Sequence, residues 1–537
     1  MLTRPIRALW ILALATACAG GEAEPARPNV LLISIDTLRA DHLSCYGYAQ
    51  ATSPHLDRLA SEGVLFEDAT STTSWTLPAH ISMLTGLPIS AHGVCDDRLW
   101  TRPGPDGGAE PVYLRGVFLP EVLRGAGYRT GGFYTWKYLE PTFGFGPGFE
   151  VYERLGHTFY SHPVVSKQFE ELRAKGDTDA LGRLAAEHPE LFDDTRPSSP
   201  EAVERALGWI DEVRGETPER PFFCFLHLFD VHDPYQAPEP FHRRFANPDY
   251  DGPITGRNVM GAGTPVQRGM EEGDLRHLVA LYDGEIAWVD SQVGRLLDAL
   301  EARGLTQNTL VVVVSDHGEE FFEHGEKQHR RSLYRESVHV PWIARWPAGL
   351  PAGRRVAGPV GLVDLAPTIA GLCDLAPPPG AMGRDLGALA RGEVANEAVT
   401  YLSELTLFDR PGAPLRVVGL HRGSEHALLG ARGDAPWIGQ HFDLTLDPTE
   451  REFGERFSAS EGPGPRWSAR LEELRATLGP LRARLPARLA DDATPGLAPS
   501  EIAELEAMGY AGVGEPARPS NATDPGRICL DGCIWPD

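Results

Sequence analysis

The chain has 537 residues, of which 42% are hydrophobic and 23% charged, enough for one large folded core and a smaller second domain. Its formal net charge of −25 argues against nucleic acid as a partner and fits an exported protein. Beyond Cys18, the six other cysteines are too few and too scattered for a disulfide scaffold. Only Cys529 and Cys533 are close enough in the chain to suggest a bridge.

The N-terminus has the pattern of an export signal. Arg4 and Arg7 precede an apolar run that is too short to span a membrane, which predicts a secretory signal peptide over residues 1–17. The small residues before Cys18 resemble a bacterial lipobox, in which that cysteine becomes the lipidated N-terminus and residues 18–27 form a tether. The alternative is ordinary cleavage nearby. We predict an exported lipoprotein of the bacterial cell envelope, held at the membrane by its N-terminal lipid anchor.

The first predicted strand, residues 30–35, is a continuous apolar run of the kind that is buried on both faces of a sheet. Asp36 follows it directly, and a carboxylate at the end of a buried strand is costly unless it is paired or binds a cation. Residues 54–63 then show helical spacing and end in a glycine. A strand followed by a helix favours an α/β fold.

Thr76 lies at the start of the next predicted helix. Proline is favoured at the first helical position, so Pro78 predicts a helix through Met83 with Thr76 just ahead of its positive end. Free backbone N–H groups and the helix dipole favour an anionic oxygen there, which makes Thr76 a candidate nucleophile. The alternative is that Thr76 only caps the helix.

The alternation of helix and strand continues along the chain. Residues 119–133 read as a helix followed by a strand, and the polar stretch 160–200 is predicted to be a surface insertion. Apolar residues spaced by three and four predict a long helix over 275–300. Two further buried strands end in possible metal ligands: residues 222–229 precede His232, and residues 309–315 precede Asp316 and His317.

Sites in open α/β sheets lie beyond the carboxyl ends of the strands, so the ligands at these strand ends are expected to converge with Thr76. We predict an α/β fold with a large mixed sheet and helices on both of its faces. A catalytic domain is predicted over residues 28–375, followed by a smaller C-terminal α+β subdomain over 376–511. Residues 512–537 are predicted to be a flexible tail.

Several short motifs occur in a characteristic order: the strand ending in Asp36, Cys45-Tyr46-Gly47, Leu84-Thr85-Gly86, Ala126-Gly127-Tyr128-Arg129-Thr130, His232-Asp233-Pro234-Tyr235, Ser315-Asp316-His317-Gly318-Glu319 and Val363-Asp364-Leu365-Ala366-Pro367-Thr368. Together they resemble the sulfatase family of the alkaline phosphatase superfamily. The resemblance runs from about Pro28 to Leu386 and implies an alkaline phosphatase-like fold.

The nucleophile position departs from the usual family pattern. Many sulfatases carry Cys or Ser, oxidised to formylglycine, two residues before the motif proline, and Arg two residues after it. Here these positions are Thr76 and His80, and threonine cannot become formylglycine by that route. The set is closer to the single-metal site of lipoteichoic acid synthases and related phosphoglycerol transferases, which use a threonine nucleophile.

The resemblance implies one divalent cation (Ca²⁺, Mg²⁺, Mn²⁺ or Zn²⁺) that activates the Thr76 hydroxyl. Its implied ligands are Asp36, Thr76, Asp316 and His317. His232 and His329 resemble family positions that contact the transferred group or donate a proton to the leaving oxygen.

Four residues are candidate substrate contacts. A basic segment within this acidic protein carries Lys327 and Arg330, although such a segment can also be a solvated loop. Lys137 is a weaker candidate, because the usual family lysine position falls on Thr135. His80 either contacts substrate in place of the missing Arg or caps its own helix.

Three functions compete. The first is a metal-dependent sulfatase-family hydrolase acting on a small-molecule, glycan or lipid ester of sulfate or phosphate, with Thr76 as nucleophile. The second is a phosphodiesterase or phosphoglycerol transferase of the same superfamily. The third is a binding lipoprotein without catalysis, which the complete set of ligand residues argues against.

Overall fold

The computed structural model describes residues 27–95, 114–156, 198–257, 264–407, 414–432 and 438–451, with short pieces between and beyond them. The predicted signal peptide, the lipid attachment site Cys18 and the C-terminal tail with its two cysteines lie outside the described residues, as does most of the predicted surface insertion.

The strands are β1 (Asn29–Ile35), β2 (Val64–Thr70), β3 (Thr101–Pro103), β4 (Ala109–Pro111), β5 (Leu114–Arg115), β6 (Arg129–Tyr134), β7 (Val151–Arg154), β8 (Phe222–Leu228), β9 (Thr309–Ser315), β10 (Glu320–Phe321), β11 (Lys327–Gln328), β12 (His339–Arg345), β13 (Arg354–Gly361), β14 (Tyr401–Leu407), β15 (Leu415–Arg422), β16 (Glu425–Arg432), β17 (Ile438–Asp443), β18 (Arg456–Phe457) and β19 (Ala487–Arg488). The helices are α1 (Pro54–Ser61), α2 (Thr76–Thr85), α3 (Ile89–His92), α4 (Leu119–Gly125), α5 (Ser199–Glu216), α6 (Glu272–Ala302), α7 (Arg335–Val338), α8 (Leu365–Leu372) and α9 (Gly387–Arg391).

The main sheet has eight strands in the order β13-β2-β12-β9-β1-β8-β6-β7. Strand β12 runs antiparallel to both of its neighbours, and the other pairings are parallel. The predicted large mixed sheet is therefore confirmed. Because β1 lies between β8 and β9, the carboxyl ends of these three strands meet at one edge of the sheet.

Both faces of the sheet are covered by helices. In β1, Val30 and Leu32 belong to a core cluster shared with α2, α4 and α8, whereas Leu31 and Ile33 pack with α1, α5 and α6 on the other face. Successive residues of a strand point to opposite faces. This explains why a strand between two helical layers is apolar at every position, as the sequence predicts.

A second sheet of five antiparallel strands, β14 to β18, follows the main one in the chain. It contacts the segment that leads into α2, where the Ser403 hydroxyl donates to the carbonyl of Ser71 at 2.6 Å. The Glu404 amide donates to the carbonyl of Thr72 at 2.7 Å. The smaller C-terminal subdomain thus supports the chain just ahead of Thr76.

Among the described residues, no helix combines the length and the apolar character needed to cross a lipid bilayer.

Candidate active site

Three fully buried side chains at the ends of β1 and β9 form the centre of the site. Asp36 follows β1, and Asp316 and His317 follow β9. Their candidate ligand atoms all lie within 4.8 Å of one another. His317 Nε2 is 3.5 Å from Asp36 Oδ1 and 3.4 Å from Asp316 Oδ2. The convergence expected from the strand ends is present for these three residues.

The hydrogen bonds of this group direct its lone pairs inward. The Nδ1–H group of His317 donates to the carbonyl of Gly318 at 2.9 Å, so Nε2 of the neutral ring carries a lone pair. Asp316 Oδ1 accepts the His317 amide at 3.0 Å. Asp316 Oδ2 and both carboxylate oxygens of Asp36 have no hydrogen-bond partner among the described residues.

These orphaned acceptors fit a cation. Burial and the charge of Asp36 raise the pKa of Asp316 to about 6. Burial also opposes the charge on Asp36, but the His227 imidazole beside it and the electrostatic influence of His317 and His232 hold its pKa at about 2. Two buried carboxylates and an imidazole lone pair at such short range require a compensating positive charge. Oxygen and nitrogen donors in this combination suit one divalent cation, as predicted.

Thr76 is the first residue of α2 and is fully buried. The prediction that the helix opens at Pro78 is wrong by two residues, because Pro78 occupies the third helical position, where the missing N–H costs no intrahelical bond. The N-cap position belongs to Trp75. Thr76 Oγ1 lies 3.4 Å from His317 Nε2, so its hydroxyl adjoins the acidic cluster.

His80 follows Thr76 by one helical turn and is fully buried. Its Nδ1–H donates to the carbonyl of Thr76 at 2.9 Å, and its Nε2 therefore accepts from the Ser34 hydroxyl, also at 2.9 Å. Burial lowers the pKa of His80 to about 3, so the ring is neutral at physiological pH. Both ring nitrogens bond the scaffold, and the substrate contact predicted for His80 stays a prediction.

His329 and His232 lie beside the acidic cluster. The ring centre of His329 is 4.6 Å from that of His317 and 4.9 Å from that of His232. His232 stacks on Phe229 with ring centres 4.4 Å apart. Its Nδ1–H donates to the carbonyl of Asp233 at 2.8 Å.

Glu319 is a site residue that the sequence analysis did not single out. It is fully buried, and its Oε1 lies 3.0 Å from His329 Nδ1 in a hydrogen bond. The Tyr235 hydroxyl donates to Glu319 Oε2 at 3.3 Å. Burial raises the pKa of Glu319 well above its usual value and lowers that of His329 well below its own, so the pair is neutral. Its position two residues after His317 was the available signal.

The basic candidates point in different directions. The Arg330 guanidinium lies over the Trp75 ring, 4.1 Å from its centre, and the Arg330 amide donates to the carbonyl of Ser74 at 2.9 Å. Arg330 is therefore held beside the turn that leads into Thr76.

The Lys327 ammonium instead donates to the carbonyls of Val259 and Val266, at 2.7 and 2.6 Å, and to the Thr264 hydroxyl at 3.2 Å. Lys137 is buried in a 3₁₀ turn, Lys137–Leu139, that follows β6. Substrate contacts by Lys327 and Lys137 stay predictions.

His227 is the second residue that the sequence analysis missed. It lies in β8 opposite Ser34 of β1, and its Nε2 is 3.3 Å from Asp36 Oδ2. A histidine inside an apolar strand, one residue from its end, was the only signal.

A family model described as Sulfatase matches residues 28–375. The chain belongs to the sulfatase family. This confirms the sequence-based prediction of a sulfatase-family enzyme with the alkaline phosphatase-like fold.

Known proteins resemble the sulfatase-family chain over most of its length. It is 28% identical to the steryl-sulfatase of Mus musculus, over 88% of this chain and 85% of that protein. It is also 28% identical to the multifunctional alkaline phosphatase superfamily protein PehA of Trinickia caryophylli, over 64% of this chain and 73% of the relative. The crystal structure of the phosphonate monoester hydrolase of Agrobacterium radiobacter matches with a TM-score of 0.59 at 24% identity, covering 85% of this chain and 96% of that one.

Proposed function

We propose that the protein is a metal-dependent hydrolase of sulfate- or phosphate-type esters in which Thr76 is the nucleophile. The observation that carries this proposal is the position of the Thr76 hydroxyl at a helix start, 3.4 Å from His317 Nε2 and next to two unpaired buried carboxylates. A divalent cation held by Asp36, Asp316 and His317 would lower the pKa of the Thr76 hydroxyl and offset the charge on the ester oxygens.

The residues around Thr76 fit a two-step transfer. Thr76 loses its hydroxyl proton to water, and its Oγ forms a bond to sulfur or phosphorus while the bond to the leaving alcohol breaks. Water then hydrolyses the adduct. His329 Nε2–H protonates the leaving oxygen, and the buried, protonated Glu319 returns a proton to His329 Nδ1. Arg330 places a fixed positive charge beside the turn that leads into Thr76, where an anionic ester would lie.

The identity of the nucleophile favours phosphorus over sulfur. A formylglycine hydrate attacks with one hydroxyl and expels sulfate with the other, whereas threonine carries one oxygen and a methyl group on Cβ. A threonine sulfate would need attack by water at sulfur, but a threonine phosphate is resolved at phosphorus by water or an alcohol. We therefore propose that phosphodiesters or phosphonate monoesters react faster than aryl sulfates. A relative named as multifunctional and a fold neighbour named as a phosphonate monoester hydrolase are consistent with this order.

The test compares kcat/KM for an aryl sulfate, an aryl phosphonate monoester and an aryl phosphodiester on one preparation. Mass spectrometry of rapidly quenched enzyme should locate on Thr76 the phosphonyl group of the phosphonate monoester, or the phosphoryl group of the phosphodiester with its remaining ester. A higher kcat/KM for the aryl sulfate, or an adduct on Ser74, would contradict the proposal.

The second candidate is transfer to an alcohol, as in a phosphoglycerol transferase, and the threonine nucleophile favours it. Added glycerol should then yield a glycerol phosphodiester and increase release of the first product. Release of the phosphate monoester or phosphonate to water alone, at any glycerol concentration, would leave hydrolysis as the function.

We also propose that the protein is an exported lipoprotein of the cell envelope, on the basis of the N-terminal pattern before Cys18. Detergent partitioning of the mature chain should place it in the lipid phase, and Cys18→Ser should move it to the aqueous phase. Identical partitioning of the two proteins would contradict the anchor.

A further inference from the structure

Two buried polar atoms face each other behind the candidate cation site. His227 Nε2 and Asp36 Oδ2 are 3.3 Å apart, and neither has another hydrogen-bond partner among the described residues. Both side chains are fully buried. An imidazole placed inside an apolar strand without a partner is destabilising, so its polar edge needs an explanation.

The ring of His227 is held on its other side by Thr135. The Thr135 hydroxyl lies 3.1 Å from the carbonyl of His227 and 3.4 Å from Nδ1 of the ring, and its hydrogen is shared between these two acceptors when Nε2 carries the ring proton. The ring of His80 packs against that of His227 with centres 5.2 Å apart, in an edge-on arrangement. These contacts fix the ring plane with Nε2 3.3 Å from Asp36 Oδ2.

We propose that His227 is a positioning residue of the cation site, whose Nε2–H donates to Asp36 Oδ2. The other oxygen, Asp36 Oδ1, is then turned toward His317 Nε2, 3.5 Å away, where the ligand atoms meet. A proton on Nε2 is favoured because a hydrogen bond to a carboxylate is stronger than one to a neutral acceptor. This inference rests on the cation site of the proposed function and adds a residue that orients one of its ligands.

Outer hydrogen bonds of this kind hold a ligating carboxylate in its binding orientation, and their loss typically weakens metal affinity 10- to 100-fold. The chain offers a matched pair of variants. In His227→Gln the amide nitrogen takes the approximate place of Nε2 and keeps a donor toward Asp36. In His227→Asn the shorter amide takes the place of Nδ1, and the donor toward Asp36 is lost.

The experiment is calorimetric titration of the full, metal-stripped chain with Mn²⁺ and, separately, with Ca²⁺. Wild type should bind one ion of at least one of the two metals. The affinity of His227→Gln for that metal should be within about threefold of the wild-type affinity, whereas that of His227→Asn should be about 10- to 100-fold weaker. Circular dichroism of the metal-free proteins checks the fold. If His227→Asn does not fold, Thr135→Val, which removes the support of the ring, replaces it and should also weaken binding.

Several results would overturn the inference. If His227→Asn binds the metal ion as tightly as wild type, or if the Asn and Gln variants lose equal affinity, the donor to Asp36 does not matter. Where Thr135→Val replaces His227→Asn, an unchanged affinity for the metal ion leads to the same conclusion. Pulsed EPR of the Mn²⁺ complex should detect one directly bound histidine nitrogen, and a second one would make His227 a ligand instead. If wild type itself binds neither ion, the cation site of the proposed function fails, and that outcome is distinct from the others.

Discussion

Thr76 offers the sharpest test of the chemistry, because two substitutions distinguish its hydroxyl from its methyl group. Serine retains only the hydroxyl, and valine replaces the hydroxyl by a second methyl group. Thr76→Ser keeps Oγ and deletes one fully buried methyl, which costs about 1 kcal/mol of stability. Thr76→Val keeps the volume and replaces Oγ1, 3.4 Å from His317 Nε2, by a methyl group at ordinary contact distance. The fold should therefore tolerate both changes.

The two variants should differ strongly in rate. Removing a nucleophile typically costs several orders of magnitude in kcat, so we expect Thr76→Val to lose about 10⁴-fold or more, equivalent to on the order of 5 kcal/mol of transition-state stabilisation. Thr76→Ser should retain activity within about 10-fold, since only the rigidity of the side-chain torsion is lost.

The assay measures kcat/KM on an aryl phosphonate monoester, with thermal unfolding and Mn²⁺ titration as controls for fold and cation site. Thr76→Val should unfold within a few degrees of wild type and show no phosphonyl adduct after quenching. If Thr76→Val turns over faster than one tenth of the wild-type rate while its Mn²⁺ binding is intact, Thr76 is not the nucleophile and the reasoning fails.

Three further predictions concern charge. Asp316→Asn should abolish Mn²⁺ binding and turnover. The same substitution should stabilise the metal-free protein at pH 7 by on the order of 2 kcal/mol. The reason is that ionising the buried Asp316 carboxyl is unfavourable, as its folded-state pKa of about 6 indicates. An unchanged melting temperature would contradict this prediction. Arg330→Gln should raise KM about 10-fold with a smaller effect on kcat, whereas Arg276→Gln, at an exposed position of α6, serves as the control; a KM equal to that of wild type would exclude Arg330 from substrate binding. His324 Nδ1 lies 2.5 Å from a carboxylate oxygen of Glu336, and its Nε2 lies 3.0 Å from a backbone carbonyl. Burial opposes a charge on His324 and raises the pKa of Glu336. These two acceptors nevertheless raise the pKa of His324 to about 9. The stabilisation from His324, on the order of 3 kcal/mol, should be complete below about pH 6.5 and lost as pH rises through about 9; denaturant unfolding of wild type and His324→Gln should show this slope in wild type only.

The centre of the site was predictable because strand ends are readable in sequence. Continuous apolar runs identify buried parallel strands, and the polar residues that follow them collect at one sheet edge. Asp36, Asp316 and His317 could therefore be grouped although 280 positions separate the first two, and the structure brings them together. The helix start at Thr76 was predicted within two residues.

The parts that escaped prediction depend on side-chain direction and on non-local partners. Lys327 belongs to a basic run, but its direction toward the 259–266 loop depends on how two distant segments pack. The pairing of Glu319 with His329 depends on the fold of the turn between β9 and β11. His227 reads as an interruption of an apolar strand until the register places it beside Ser34 and next to Asp36.

Because of His80, helix α2, which begins at Thr76, is difficult to convert into the corresponding helix of a formylglycine enzyme. Supplying a cysteine at position 76 would leave the imidazole bonded to Ser34 and to the helix backbone. Placing an arginine at position 80, as many sulfatases have, would bring a longer, charged side chain into a space with no solvent exposure. Its nearest counter-charge is Asp316, whose Oδ2 lies 3.6 Å from the present ring, so the guanidinium would compete with the cation for that carboxylate. A change from one chemistry to the other would therefore require replacements at more than one position.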